Sequence, residues 1–476
     1  MYRTEHDFLG EKQVPSEAYY GIHTVRALEN FSVSGQAVHP ELIRAIATVK
    51  QAAVEMNMSL GILEPRLGSA IFQAAAEVSE GRFSDQFPVD ALQGGAGTST
   101  NMNVNEVVAN RAIELLGGQK GDYRVVHPLD HVNLSQSTND VYPTALRVAA
   151  IRLLQPLSEA CAQLQGALQK KEAEFASILK LGRTEMQDAV PITLGQEFSA
   201  WAEAVARDRW RLYKVEERLR EVNLGGTAVG TGLNAERKYV FGVVERLRAL
   251  TGIGLARDEN MIDTTQNADV FVEVSGLLKA CAATLIKISN DLRLLSSGPK
   301  GGFAEIHLPE LQAGSSIMPG KVNPVMPELL AQVAYQTIAR DLAITLAAQG
   351  GQLELNAFLP LIAANLLPAM EELTKAMKLF ADRCIAGIDA SPAKCLSHLE
   401  HSVALATALA PLIGYDRAAV VAKQALHDDT SVKQILVASH LFTEEEVEIL
   451  LRPEMLTRPG MIKKPAPAKT KEARHE

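Results

Sequence analysis

The sequence is poor in aromatic residues and in long apolar runs. Only 5% of its 476 residues are Phe, Trp or Tyr, whereas 47% are apolar and 22% are charged. This composition excludes a disordered or collagen-like chain and predicts about two or three folded domains. No stretch of about 18 uninterrupted apolar residues occurs and the N-terminus is polar, so neither a membrane span nor a signal peptide is expected.

Cysteine is scarce and carries no binding pattern. Cys161, Cys281, Cys384 and Cys395 form neither a CxxC pair nor a Cys/His spacing typical of a metal site. Each lies in Ala/Leu-rich surroundings, so we expect small buried residues in a reducing cytoplasm. A metal motif and a GxGxxG nucleotide fingerprint are both absent, and we therefore expect no metal and no organic cofactor.

Positive charge is also in deficit. The 47 Lys and Arg residues against 56 Asp and Glu residues give a net charge of −9. Attraction to nucleic acid or to an anionic membrane surface is therefore not expected. A small anionic substrate would need a local positive group.

What the sequence has in abundance is helix-forming residues. Long windows rich in Ala, Leu, Glu, Lys and Arg predict a mainly α fold. Apolar residues recur at three- and four-residue steps over 41–58, 141–174, 193–222, 267–295, 324–349 and 359–386. The stripe over 267–295 is long enough for a helix that crosses the whole molecule. Packing of several such helices at shallow angles predicts a central bundle.

Turn-forming segments predict domain boundaries near 140 and near 392. We expect a mixed, mostly helical N-terminal domain (1–140), a central helix-bundle domain (141–392) and a small C-terminal helical domain (393–460). The final segment, 461–476, is rich in Lys, Pro and Ala. It cannot bury enough apolar surface to order itself, so we expect a disordered tail.

Three polar segments carry more hydroxyl and amide groups than a connector needs: 94–103, 135–140 and 314–324. Glycines in the first would let backbone N–H groups approach a ligand, and the helix that follows favours an anion at its N-terminus. The third, with two Ser and one Lys, is typical of a mobile lid that excludes water. Taken alone, each segment could equally be a flexible connector or a helix cap.

The run GSSIMPGKVNPVMPE from Gly314 to Glu328 resembles the signature of the aspartase/fumarase superfamily. The resemblance extends over almost the whole chain, through YYGIHT from Tyr19, GTSTNMNVNE from Gly97, DHVNLSQSTND from Asp130, GRTEMQDAVPITLGQEF from Gly182 and GTGLN from Gly230. It implies a three-domain fold whose central long-helix bundle assembles into a tetrameric multi-helix core. It also implies a homotetramer in which three subunits share each active site.

Within the superfamily the chain looks most similar to the ammonia-lyases that convert L-aspartate to fumarate. Fumarases have Thr-His-x-Gln-Asp where this chain has Thr184–Asp188, and Gly-Ala-Gln-Thr where it has Gly21–Thr24. A carboxylate at Glu185 would attract the ammonium of aspartate and would repel a carboxylate of fumarate. The alternatives are fumarate hydratase, a lyase of another aspartate-like amine, and a helical scaffold that has lost its chemistry.

The resemblance also assigns roles to residues. It implies that Ser315 is the general base of the lid loop. The side chains implied to bind the substrate are Thr98, Ser137, Thr138 and Ser316 around the aci-carboxylate, Lys321 and Asn323 at the α-carboxylate, and Asn139 and Thr184 at the amino group. Glu185 and Glu328 are possible determinants of specificity. If these two carboxyl groups lie close together, one of them must have a raised pKa.

A serine hydroxyl in water is far too weakly acidic to be the ionised base that this carbon acid requires. No histidine is adjacent to the lid segment in the sequence. We therefore attribute a lowered pKa of Ser315 to backbone N–H groups of the Gly-containing turn and to Lys321.

Overall fold

The structure, a computed structural model, describes residues 1–462. The fold is mainly helical, as predicted. The helices are α1 (Ile22–Asn30), α2 (Pro40–Ser59), α3 (Pro65–Ser79), α4 (Thr98–Leu115), α5 (Thr138–Glu174), α6 (Leu194–Val215), α7 (Arg237–Thr251), α8 (Met261–Gln266), α9 (Asp269–Leu295), α10 (Val325–Gln349), α11 (Leu359–Arg383), α12 (Pro392–Glu400), α13 (Ala404–Ile413), α14 (Tyr415–Asp428), α15 (Val432–Ala438), α16 (Glu444–Leu450) and α17 (Pro453–Leu456).

The strands of the described residues form four two-stranded sheets. The strands are β1 (Tyr2–Asp7), β2 (Gly10–Pro15), β3 (Leu179–Thr184), β4 (Gln187–Thr193), β5 (Glu221–Val222), β6 (Ala256–Arg257), β7 (Ile306–His307) and β8 (Asp389–Ala390). β1 pairs with β2, β3 with β4 and β7 with β8, all antiparallel, whereas β5 and β6 are parallel.

The long helices α2, α5, α9, α10 and α11 occur where the apolar periodicity predicted them. The prediction for 193–222 was wrong at its C-terminal end, because α6 ends at Val215 and Glu216–Leu219 form a 3-10 turn. The chain beyond this turn pairs with another strand: Ala256 N donates to the carbonyl of Arg220 at 2.9 Å and Asp258 N to that of Val222 at 3.0 Å. These bonds replace the helical ones.

The chain divides into two compact units. The first comprises 1–160, 208–283 and 332–375, and the second comprises 161–207, 284–331 and the described residues from Ala376 onward. The three contiguous domains predicted from the sequence are a different division of the chain and stay predictions. The predicted disordered tail lies outside the described residues from position 463 onward.

In the first unit, α2 forms the centre of the packing. It packs against α3 and α7, and α3 packs against α4. Thirteen of its side chains are buried, so it is surrounded by protein over most of its surface. His39 caps its N-terminus by accepting the N–H of Glu41 at 3.2 Å, and Pro40 occupies the first helical position.

In the second unit, the β3–β4 hairpin packs against α12 and α13. Leu179 and Leu181 on β3 join a cluster of buried residues that includes Leu399, Leu405 and Leu409. Leu179, Lys180 and Leu181 are all buried, so the base of this hairpin is fixed by packing on both of its faces. The tip of the hairpin is exposed.

All four cysteines are free and buried, as predicted. None of the helices formed by residues 1–462 combines the length and the apolar character needed to span a membrane.

Candidate active site

The Gly-rich segment before α4 has a backbone that only small residues can follow. Gly97 has a φ of 93°, and a Cβ at this position would collide with the ring of Tyr142. The side-chain oxygen of Gln93 accepts the N–H of Thr100 at 3.1 Å and its hydroxyl at 2.9 Å. These contacts close the loop and leave Thr98, the first residue of α4, exposed to solvent.

The second polar segment leads into α5, and Asp140 anchors it. The buried carboxylate of Asp140 accepts backbone N–H groups from Ser137, Gly225 and Thr227, each at 3.0 Å. Burial raises the pKa of Asp140 to about 6, although the three N–H donors favour its charged form. Asp140 thereby ties this segment to the loop at 225–234.

The side chain of Asn139 has a fixed direction. Its Nδ2 donates to the backbone carbonyl of Ala228 at 2.7 Å, and the backbone carbonyl of Asn139 accepts from the side chain of Asn223 at 3.0 Å. Because the amide nitrogen is committed to Ala228, the amide oxygen is the end of this side chain that can accept a hydrogen bond from an ammonium group.

A buried lysine that the sequence analysis missed connects these two segments. The Nζ of Lys50 on α2 donates to Asn101 at 2.7 Å, to Gln136 at 2.9 Å and to Asn133 at 3.0 Å. Asn101 Nδ2 in turn donates to the Thr138 hydroxyl at 3.1 Å. Burial lowers the pKa of Lys50 to about 7. In the sequence, Lys50 lies among the apolar residues of the stripe that forms α2, and this position was the available sign that it is buried.

Thr184 and Glu185 lie at the tip of the β3–β4 hairpin. Thr184 ends β3, and the two-residue turn consists of Glu185 and Met186 with φ values of 53° and 65°. Positive φ at both positions is the geometry of a type I′ turn, which matches the twist of the flanking strands. The side chains of all three residues are exposed.

A network of buried charges supports the base of this hairpin. Glu305 lies 3.0 Å from Lys180, 2.9 Å from Arg183 and 2.9 Å from His398. Lys180 also contacts Glu197 at 2.6 Å. Burial raises the pKa of Glu305, but Lys180 and the hydrogen bond from His398 outweigh this effect and hold it below its ordinary value. Since Lys180 and Arg183 belong to β3, the network fixes the strand that leads to Thr184.

The lid segment forms a closed loop. Gly314 N donates to the carbonyl of Lys321 at 2.8 Å, and Asn323 Nδ2 donates to that of Gly314 at 2.9 Å. Inside the loop, the Oγ of Ser315 accepts two backbone N–H groups, from Ile317 at 3.1 Å and from Met318 at 2.9 Å. The loop thus surrounds this one hydroxyl with partial positive charge.

A cavity of about 850 Å³ lies beside the lid. Lys321 and Asn323 line it, together with Arg293, His307 and Asp389. The cavity therefore offers one lysine and one arginine side chain, Lys321 and Arg293, in a chain whose net charge is negative. Glu328 follows in the first turn of α10.

The structure links some of the predicted site residues and leaves others on separate elements. Hydrogen bonds through Asn101 link Thr138 to the helix that begins at Thr98. Asn323 closes the lid segment through its bond to Gly314. The charges around Glu305 hold the base of the β3–β4 hairpin. Within residues 1–462, no group of three or more His, Cys, Asp or Glu side chains is arranged to hold a metal ion.

Comparison with known proteins gives matches along the chain. A family model described as Lyase matches residues 10–339, and one described as Fumarase C C-terminus matches 405–458. An aspartate ammonia-lyase from a Bacillus species is 47% identical over 455 residues, which is 96% of this chain and 97% of that protein.

Two solved structures share the fold. One, described as fumarate lyase:delta crystallin from Brucella melitensis bound to cobalt, has a TM-score of 0.93 and 49% identity, and covers 96% of this chain and 100% of its own. The other, a class II fumarase from Schistosoma mansoni, has a TM-score of 0.89 and 35% identity, and covers 95% of this chain and 98% of its own.

Proposed function

Because the chain belongs to the aspartase/fumarase superfamily, we propose that it catalyses the reversible elimination of ammonia from L-aspartate to give fumarate. The observation that carries this proposal is the near full-length similarity to an aspartate ammonia-lyase, at a higher identity than to the class II fumarase. The enzyme is accordingly a carbon–nitrogen lyase.

The reaction removes a proton from the carbon next to the β-carboxylate of aspartate. The electron pair of that C–H bond moves onto the carboxylate and forms a dianionic aci-carboxylate. Its return forms the C=C bond of fumarate and expels the amine as ammonia. Because the carbon is a very weak acid, groups that bind the aci-carboxylate more tightly than the substrate determine the rate.

Ser315 is the proposed base that takes this proton. Two N–H groups point at its Oγ, an arrangement that stabilises an alkoxide and so lowers the pKa of the hydroxyl. Lys321, near the other end of the loop, adds positive charge to the same segment. The proton leaves Ser315 for solvent or for the released ammonia.

The proposed donors to the aci-carboxylate are the hydroxyls of Thr98, Ser137, Thr138 and Ser316. Thr98 also lies at the N-terminus of α4, where the helix dipole favours negative charge. Thr138 accepts a hydrogen bond from Asn101, so its own hydroxyl hydrogen remains available to the substrate.

The other ends of the substrate have separate proposed partners. Lys321 and Asn323 bind the α-carboxylate, for which Lys321 supplies a positive charge. Asn139 accepts a hydrogen bond from the ammonium group through its amide oxygen, and the Thr184 hydroxyl helps to orient that group. The direction of the Asn139 amide supports this role.

Glu185 and Glu328 are proposed to influence the choice of leaving group. An exposed carboxylate at Glu185 attracts an ammonium ion, whereas it gives no comparable attraction to the neutral hydroxyl of malate. This favours ammonia over water as the leaving group. A scaffold without activity would have no need for this complete set of hydroxyl, amide and lysine side chains.

We propose that the active protein is a homotetramer in which three subunits complete each site. Side chains that should contact substrate are exposed in the single chain: Thr98, Thr184, Ser316 and Lys321. Large apolar side chains are also exposed on helices, namely Trp210 and Tyr213 on α6 and Tyr335, Leu342 and Leu346 on α10. Association of subunits would cover both groups. We further propose a cytoplasmic location, which the four free cysteines support.

The deciding experiment records absorbance in the ultraviolet band of fumarate, with the purified protein and L-aspartate in one cuvette and L-malate in a parallel one. We expect absorbance to rise with aspartate alone. A rise with malate alone would assign the chain to fumarate hydration. No rise in absorbance with either substrate would reject the proposal and lead to a screen of other amines that carry a β-carboxylate.

A further inference from the structure

Lys50 is a fully buried cation with an unusual set of partners. Its side chain has no solvent exposure, and its three N–H bonds match three side-chain carbonyl oxygens, those of Asn101, Asn133 and Gln136. A neutral amine has only two N–H bonds, so only the ammonium form satisfies all three acceptors, although burial lowers its pKa to about 7. Keeping a charge in such a place costs free energy that three neutral amides recover only in part.

The partners of Lys50 lie on two segments of the proposed site. Asn101 is in the first turn of α4, which begins at Thr98, whereas Asn133 and Gln136 precede Ser137 and Thr138. The lysine therefore fixes the start of α4 relative to the start of α5.

One of these contacts continues toward the substrate. Lys50 donates to the Oδ1 of Asn101, and Nδ2 of the same amide donates to the Thr138 hydroxyl. Charge on the ammonium polarises the amide, and the polarised amide makes the hydroxyl a stronger donor, because hydrogen bonds in a chain strengthen one another.

We propose that Lys50 is a positioning residue that acts through Asn101 to orient and polarise the Thr138 hydroxyl for the aci-carboxylate. This inference rests on the proposed function, since it needs a reaction that develops negative charge beside Thr138. It assigns a reason for burying a cation here, because the charge stabilises the transition state more than it stabilises bound aspartate.

One anion acts on the same lysine. Asp140 and Lys50 influence each other electrostatically. The carboxylate of Asp140 accepts its hydrogen bonds from the backbone N–H groups of Ser137, Gly225 and Thr227. The Lys50 ammonium faces amide oxygens, so its hydrogen bonds are directed at Asn101 and the other two amides.

The first test replaces Lys50 with Met, which keeps the unbranched side chain as far as its ε carbon and removes the ammonium group. We expect kcat for L-aspartate to fall about 10- to 100-fold with KM within about threefold, since an interaction made mainly in the transition state is lost. The matched control is Lys171→Met: this lysine is also buried but contacts Glu174 and the carbonyl of Ile388. We expect the control to keep kcat within about twofold.

Binding probes separate this role from a structural one. In 2-amino-3-nitropropionate a nitro group replaces the β-carboxyl, and its nitronate anion has the planar shape and oxygen charge of the aci-carboxylate. Succinate carries an ordinary carboxylate at the same place. We expect Lys50→Met to weaken binding of the nitronate by about the factor lost in kcat and to change succinate affinity by less than about threefold.

A second pair of variants decides the question if Lys50→Met does not fold. Asn101→Asp and Asn133→Asp each set a carboxylate against Lys50 and keep the size of the side chain. Only Asn101→Asp removes the donor to Thr138, whereas Asn133→Asp removes a donor to the carbonyl of Gln136 at 3.3 Å. We expect Asn101→Asp to lose about tenfold more kcat and nitronate affinity than Asn133→Asp.

Equal losses in the two Asp variants would overturn the relay through Asn101. Equal weakening of nitronate and succinate in Lys50→Met would reduce Lys50 to a structural residue. If the unmodified protein forms no fumarate from L-aspartate, the proposed function itself fails and this inference falls with it. That outcome is recognised before any variant is made.

Discussion

At the residue scale, the chemistry depends on the hydroxyl of Ser315, which two backbone N–H groups hold in place. Replacing Ser315 with Ala leaves the loop bonds from Gly314 and Asn323 in place. It removes the proposed base together with the two hydrogen bonds that its Oγ accepts from Ile317 and Met318. We expect kcat for L-aspartate to fall by about 10²- to 10⁴-fold with little change in KM. Steady-state kinetics measures the loss, and thermal unfolding checks that the fold is unchanged.

The matched control for that variant is Ser69→Ala. The hydroxyl of Ser69 on α3 is exposed and donates to the carbonyl of Pro65, so its loss should leave turnover unchanged. A Ser315→Ala protein that keeps near-normal kcat would remove Ser315 from the role of base.

Glu185 provides the second test at this scale. Its carboxylate is exposed, and an exposed charge contributes less than about 1 kcal/mol to an ion pair. We therefore expect Glu185→Gln to lower kcat/KM for L-aspartate by no more than about fivefold. Asp188→Asn, on the same hairpin, is the control and should change nothing. A loss above about 100-fold would mean that Glu185 takes part directly in the reaction.

At the element scale, the β3–β4 hairpin carries a strained turn. Met186 has a φ of 65° without being glycine, a conformation that costs about 1 kcal/mol or more in residues with a Cβ. We expect Met186→Gly to stabilise the protein by about 0.5–1 kcal/mol and to raise its thermal midpoint. Met186→Ala removes the same long side chain without relieving the turn, so its midpoint should not rise. Equal midpoints for the two variants would show that the turn stores no strain.

Helices were the elements most open to prediction from the sequence. The stripe from Val270 to Leu295 predicted α9, since its apolar residues recur at helical spacing. The end of α6 was missed because Leu219 and Val222, which continue the apolar pattern, are buried through a turn and a strand instead of a helix. The spacing of apolar residues shows that these side chains are buried, but it does not show whether a helix, a turn or a strand buries them.

The candidate site was predictable where motifs are contiguous in sequence. Ser315, Lys321 and Asn323 share one short run, and the resemblance identified them together. Lys50 lies 51 residues before Asn101, and only the packing of α2 in the first unit brings the two together. The only local sign of this contact was the position of Lys50 on an apolar stripe. Such a position indicates that the side chain is buried, but it does not identify the residues that contact it.

At the scale of the whole molecule, the exposure of several proposed substrate-binding side chains predicts that subunits share their active sites. Mixing two inactive variants tests this directly. Ser315→Ala and Thr138→Val damage different segments, and in a mixed tetramer some sites would receive both intact segments from different chains. With equal amounts and random assembly, half of the sites have an intact Ser315 and, independently, half have an intact Thr138, so activity should recover to about one quarter of the unmodified value.

The control for this mixture is Ser315→Ala with Lys321→Ala. Both changes lie on one loop, so every site receives that loop from a single damaged chain and no activity should return. Co-expression followed by purification, a mass measurement on the assembly and the fumarate assay give the result. Recovery only in the first mixture would establish sharing between subunits. Absence of recovery in both, with a tetrameric mass and mixed subunits, would mean that Ser315 and Thr138 of each site come from one chain.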